Sequence, residues 1–172
     1  NPLAKGMATT MALLYVGTNG VILAHIGDSR IYQFRKGKIL HETEDHSLVN
    51  SLIKLGRIRP EEGSKHPQKN VILKAISGTE YPVQADITLI TDINPGDNFF
   101  MCSDGVLECF DDKSLSNLFE NNESLDVLKT EVLEACNNVA HDNFSFFIIP
   151  VNNVQETVSI KHFILSFFYS FV

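Results

Sequence analysis

Three aspartates in this chain stand where apolar runs stop or start. Asn98-Phe99-Phe100-Met101-Cys102 leads into Ser103-Asp104-Gly105, Val21 to Ile26 leads into Gly27-Asp28-Ser29-Arg30, and Asp142-Asn143 precedes Phe144 to Val151. A carboxylate fixed at a strand end, beside a glycine that lets the backbone turn or a ligand approach, suits a hard cation. One such aspartate can equally be a helix cap; the recurrence of the pattern argues for carboxylates that converge. Arg30, next to an aspartate in a tight turn, reads as a residue that pins the turn. Cys102, Cys109 and Cys136 have no metal-ligand spacing and read as buried, reduced thiols.

The elements that must position these residues can be read from periodicity. Thr9 to Val16 and Val21 to Ile26 flank an Asn19-Gly20 hairpin signal, and Ile31 to Arg35 and Lys38 to Glu42 turn at Lys36-Gly37, so the spacing predicts a four-strand meander. Leu48, Leu52, Ile53 and Leu55 form a helical stripe capped by Asp45 or Ser47 and stopped by Gly56; Pro60-Glu61-Glu62 reads as the first turn of another helix. Strands follow over Val71 to Ser77 and Ala85 to Thr91, and Pro95-Gly96-Asp97 turns the chain into the run that delivers Asp104. Short helices are expected over Val106 to Phe110, from Asp112 through Phe119, and from Ser124 with Leu125, Leu128, Val132 and Cys136 on one face. Strands with helices packed against them, outside βαβ alternation, make an α+β arrangement.

Composition narrows the function. At 172 residues and 44% hydrophobic the chain can bury one core, and its net charge of −7, with no run of Lys or Arg, argues against nucleic-acid or anionic-membrane partners. Asn1 to Lys5 has no apolar signal region, and with reduced thiols this gives a cytoplasmic expectation. Ile160 to Val172 is apolar but too short to cross a bilayer; it is expected as a packing or interfacial helix, the one route to a membrane.

In order along the chain, Gly6-Met7-Ala8-Thr9-Thr10, Ala24-His25-Ile26-Gly27-Asp28-Ser29-Arg30, Asp45-His46-Ser47, His66-Pro67 with Asn70-Val71-Ile72, Pro95-Gly96-Asp97, Ser103-Asp104-Gly105 and Asp142-Asn143 resemble the metal-dependent protein serine/threonine phosphatases of type 2C, of the bacterial kind. The resemblance implies a four-layer α-β-β-α sandwich and hydrolysis of phosphoserine and phosphothreonine in proteins by a binuclear Mg2+ or Mn2+ centre, with a weaker third ion and a serine/threonine kinase as an expected partner. It makes Asp104 and Asp142 the catalytic metal ligands, with Gly105 beside them. Asp28 and Glu108 would serve the third ion, where the family usually has aspartate at the latter position. Arg57 to His66 would be a substrate-selecting flap, and Arg30, Ser103 and Asn143 part of the structural motifs.

The family's first block, an acidic strand end and an Asp-Gly-x-Gly-Gly segment supplying the bridging aspartate, has no counterpart here. The domain division that follows is residues 1–151 as a partial catalytic domain, lacking its N-terminal strands and helices, and 152–172 as a C-terminal apolar extension. An unpaired sheet edge and exposed apolar surface are expected. The alternatives are a non-catalytic pseudophosphatase or interaction domain, and a two-metal hydrolase of another phosphate ester. Should the chain alone prove active, Glu44 or Asp45 would be the first substitutes for the missing bridge.

Overall fold

Asn98 to Cys102 is apolar at every position after its first, without the alternation of a half-exposed strand, because it is covered on both faces. The structure, a computed structural model, describes residues 6–63, 65–78, 82–121, 124–154 and 162–166, the last without side chains. In it β8 (Asp97–Cys102) runs antiparallel between β4 (Arg30–Arg35) and β9 (Phe146–Pro150), and β5 (Lys38–Glu42) closes the far edge of this sheet beyond β4. The period of two sends Phe99 and Met101 to one face and Phe100 and Cys102 to the other, and all four are 0–1% exposed.

Phe99, Met101 and Ile31 face a second sheet, in which β2 (Met11–Gly17) and β3 (Gly20–Ile26) supply Ala12, Leu14, Val21 and Leu23 to a shared core. Phe100, Cys102, Tyr32 and Phe34 face α4 (Asp112–Asn121) and α5 (Leu125–Val139), which bury Leu115, Phe119, Leu128, Val132 and Cys136. Phe119 stacks on Phe34 with ring centroids 4.0 Å apart, and α3 (Asp104–Leu107) adds Val106 to the same cluster. The order is sheet, sheet, helices: three layers of an α+β sandwich. On the far side, the outer face of the second sheet is open at β7 (Asp86–Ile90), where Ile87 and Leu89 are 70% and 54% exposed.

The structure divides the expected meander. β2 pairs with β3 and β4 with β5, but β3 and β4 lie in different sheets, and Gly27-Asp28-Ser29 carries the chain across. The crossing needs Gly27: its φ is +105°, and a Cβ there would lie 2.3 Å from Thr10 Cγ2. Two other readings are corrected. The strand expected over Val71 to Ser77 contracts to β6 (Ile76–Ser77), paired with β1 (Ala8–Thr9), plus a single bridge between Ile72 and Ser47.

The tail reading is also overturned where it is described: β10 (His162–Ser166) is a strand, not a helix, paired antiparallel with β2. The edge of β2 presents unpaired N–H and C=O groups, and a ladder satisfies them as a helix cannot. The edge expected to be bare is therefore occupied, while residues 160–161 and 167–172 of the apolar tail lie outside the described residues. No helix among the described residues is long and apolar enough to cross a membrane.

Candidate metal centre

The ends of the two sheets meet at a cleft of about 320 Å³. β3, from the second sheet, delivers Asp28 to it, and β8, from the first, delivers Asp104 through Ser103. Ser103 joins this end to the residue just before β9: its N–H donates to the Ser145 carbonyl at 3.0 Å and its Oγ accepts from the Ser145 N–H at 3.0 Å. Gly105 sets the spacing between Asp104 and the Asp142-Asn143 loop. A Cβ at Gly105 would lie 2.5 Å from the Asn143 carbonyl oxygen, so only glycine lets that loop come so close.

These carboxylates act on one another. Asp28, half-buried, is pushed up to about 6 by burial and by the charges of Asp104 and Asp45. Burial and the Asp142 carboxylate raise Asp104, against the Gly105 N–H that donates to its Oδ1 at 3.0 Å. Asp142 itself is exposed and accepts the Asn143 N–H at 2.7 Å. The result is an electrostatic row, Asp28 to Asp104 to Asp142, whose like charges oppose one another. A divalent cation placed among them would relieve that repulsion. The donor set is all oxygen, which fits Mg2+ or Mn2+ and not a thiolate- or imidazole-preferring metal. Among the described residues no three acidic, histidine or cysteine side chains stand close enough to hold an ion unaided.

The other sequence-predicted residues fall into place unevenly. Glu108 lines the cleft, but its Oε2 accepts the His141 N–H at 2.7 Å, which ties α3 to the loop carrying Asp142. Arg30 grips both oxygens of Asp45 at 2.7 Å, bonds Glu42 at 2.8 Å and donates to the Tyr32 hydroxyl at 3.0 Å. Asp45 lines the cleft with both oxygens engaged by Arg30; Glu44 is held by Lys54 at 2.6 Å and does not line the cleft.

From the flap, Pro60 and Gly63 line the cleft and Arg57 and His66 do not; Lys69 and Asn70, just beyond it, also line the cleft. His66 instead closes local turns, its N–H donating to Gly63 and its carbonyl accepting from Lys69. Sequence reasoning missed Lys69 as a lining residue, and it gave no role to His25, His46 and Asp86, which pack behind the Asp28 turn. His25 and Asp86 lie opposite each other in the β3–β7 register, a juxtaposition only the tertiary pairing reveals.

Fold and site together define a two-sheet sandwich with Asp28, Asp104 and Asp142 at its strand ends. No protein-family model matches the chain. Protein phosphatase PhpP of Streptococcus pneumoniae is 36% identical over 149 residues, covering 86% of this chain and 60% of its own length. Serine/threonine phosphatase stp of Listeria welshimeri is 30% identical over 153 residues, covering 88% and 60%. Among solved structures, the S. agalactiae serine/threonine phosphatase superposes with a TM-score of 0.77 at 33% identity, over 86% of this chain and 61% of that one. The catalytic domain of PstP in complex with two manganese ions gives 0.69 at 29%, over 89% and 63%. These curated relatives and structural neighbours, which match most of this chain, are type 2C protein serine/threonine phosphatases. The chain spans about 60% of the length of the curated relatives it matches.

Proposed function

We propose that this chain carries part of a Mg2+- or Mn2+-dependent centre that hydrolyses phosphoserine and phosphothreonine in proteins. In this reading Asp104 and Asp142 hold the principal ions with Gly105 setting their approach, and Asp28 with Glu108 serves a weaker site. The observation that carries it is the row of mutually repelling carboxylates at the junction of the two sheets. A bound pair of divalent cations would supply a hydroxide nucleophile near neutral pH and neutralise the phosphoryl oxygens. The chain's own contribution is to bring three carboxylates together at the junction of the sheets, and to line the approach with Lys69 and Asn70. Residues 1–151 form the partial catalytic domain in this reading and 152–172 an extension. The substrate is a phosphorylated protein, and its counterpart a serine/threonine kinase.

Titration of the chain with Mn2+, followed by paramagnetic broadening of the Asp104, Gly105 and Asn143 amides, tests the assignment. Weak binding is expected, reduced by Asp104→Asn and by Asp142→Asn; equal binding by both variants and the parent would sink the shared site. The lack of a third close ligand among the described residues favours one further reading: by itself this chain is a poor phosphatase. Two carboxylates offset only half the charge of two divalent ions. Chain given Mn2+ and an aryl phosphate should show no Asp104-dependent turnover, and the same chain extended upstream by an Asp-Gly-x-Gly-Gly block should show it.

A further inference from the structure

Asp28 is useful as a ligand only if the crossing that carries it is held still, and that crossing is a glycine-based turn between sheets. Two groups hold it. On one side Thr10 packs against Gly27, and its Oγ1 lies 2.9 Å from Ser29 Oγ. On the other side stands His46. The Gly27 N–H donates to His46 Nδ1 at 3.0 Å, and the His46 N–H donates to the Gly27 carbonyl at 3.0 Å. Since Nδ1 is the acceptor, the proton of the neutral ring sits on Nε2. Nε2 lies 3.2 Å from Asp86 Oδ2, off the line of a full hydrogen bond, and Asp86 is in turn bonded by Lys74 Nζ at 2.6 Å. The His25 ring stacks on His46 at 4.6 Å and 12°, with its own Nε2 2.8 Å from the Glu44 carbonyl. Each of these contacts fixes the plane of the His46 ring.

We propose that His46 is the positioning residue for Asp28: it holds Gly27 by both its N–H and its C=O, and so aims the following carboxylate into the cleft. Asp86 and Lys74 orient the ring from behind. His46 also accepts the Leu73 N–H on its carbonyl at 2.7 Å. The clamp therefore links the Asp28 turn to the chain that leaves the flap. Its consequence for metal rests on reading Asp28 as a ligand; the clamp itself does not.

The test uses the isotope-labelled 172-residue chain. A through-hydrogen-bond coupling between Gly27 N and His46 Nδ1 is expected in the parent, and its absence would overturn the proposal without any variant. Amide exchange is then compared across His46→Asn, whose side-chain oxygen can take the place of Nδ1, and His46→Gln, whose cannot. Loss of the bond in His46→Gln should speed exchange at Gly27 to Ser29 by about tenfold to a hundredfold, with Phe99 to Met101 unchanged. His46→Asn should stay within about threefold of the parent on the same argument.

Parent-like exchange at the turn in His46→Gln, no rescue by His46→Asn, or equal acceleration through Phe99 to Met101 would each overturn it, the last by making His46 a general packing residue. With Mn2+ added, His46→Gln should weaken broadening of the Ser29 amide by at least about fivefold and His46→Asn should restore it. If the parent shows no such broadening, the ligand reading of Asp28 falls while the exchange result still decides the clamp.

Discussion

The two sheets differ in what lies on their outer faces. One, built on β4 and β8, has α4 and α5 against it and buries both faces of its central strand; the other, built on β2, β3 and β7, shares the inner core but leaves Ile87 and Leu89 in solvent. The ends of both sheets send aspartates to the cleft. Asp104 stands on the covered sheet and Asp28 on the open one, so the two halves of the site rest on supports of unequal rigidity.

The covered sheet should therefore lose most when its cover is cut. Phe119→Ala removes the ring stacked on Phe34 and leaves a cavity among fully buried neighbours. It is expected to cost about 3–5 kcal/mol by denaturant unfolding. A loss comparable with that of a surface residue would break the comparison.

Gly105→Ala comes next. Its added methyl meets the Asn143 carbonyl, which is backbone and has to move, at a cost of about 1–3 kcal/mol. The same shift should part Asp142 from Asp104, which Mn2+ titration would read as weaker binding than the stability loss alone explains.

Asp28→Asn should act in the opposite direction. The folded group titrates near 6 against 3.8 for an ordinary aspartate, so between those values the folded state holds a proton that the unfolded state has lost. Stability from this group is fully present below pH about 4 and is lost as pH rises through about 6. Asn, which never ionises, should raise stability at pH 7 to 8 by about 1–2 kcal/mol and leave it unchanged near pH 3. Chemical denaturation at both pH values checks the sign. The smallest effect is expected on the open sheet: Leu89→Ser should alter stability by no more than about 0.5 kcal/mol, and its measurable outcome is less self-association in sedimentation at high concentration.

Legibility in the sequence followed the same division. The covered sheet and its helices could be read because apolar runs and helical stripes report local burial: Phe99 to Cys102 fell where periodicity placed it, as did Leu128, Val132 and Cys136, while Leu125 of the same expected face lies exposed in the first turn. The split of the meander could not, since Gly27 gives a break but not the direction in which the chain leaves it. Asp28, Asp104 and Asp142 were visible as strand-end carboxylates because a charge after an apolar run is a local signal. The roles of Asp45 and His46 were not, for Asp45 is fixed by an arginine 15 residues away and His46 by a glycine 19 residues away. The tail misled because apolar composition says how much a segment gains from burial and nothing about which backbone partner is waiting for it.

That partner is the edge of β2, and β10 holds it through five residue pairs, from His162 opposite Val16 to Ser166 opposite Ala12. An edge already zipped to its own chain is a contested seat. Any incoming strand, whether from another segment or another molecule, must peel β10 away from one end while it adds its own pairs, so the exchange proceeds by branch migration and not by simple docking. Arrival is then governed by how fast the ladder frays, and the local segment keeps the advantage of high effective concentration until the rival is tethered nearby.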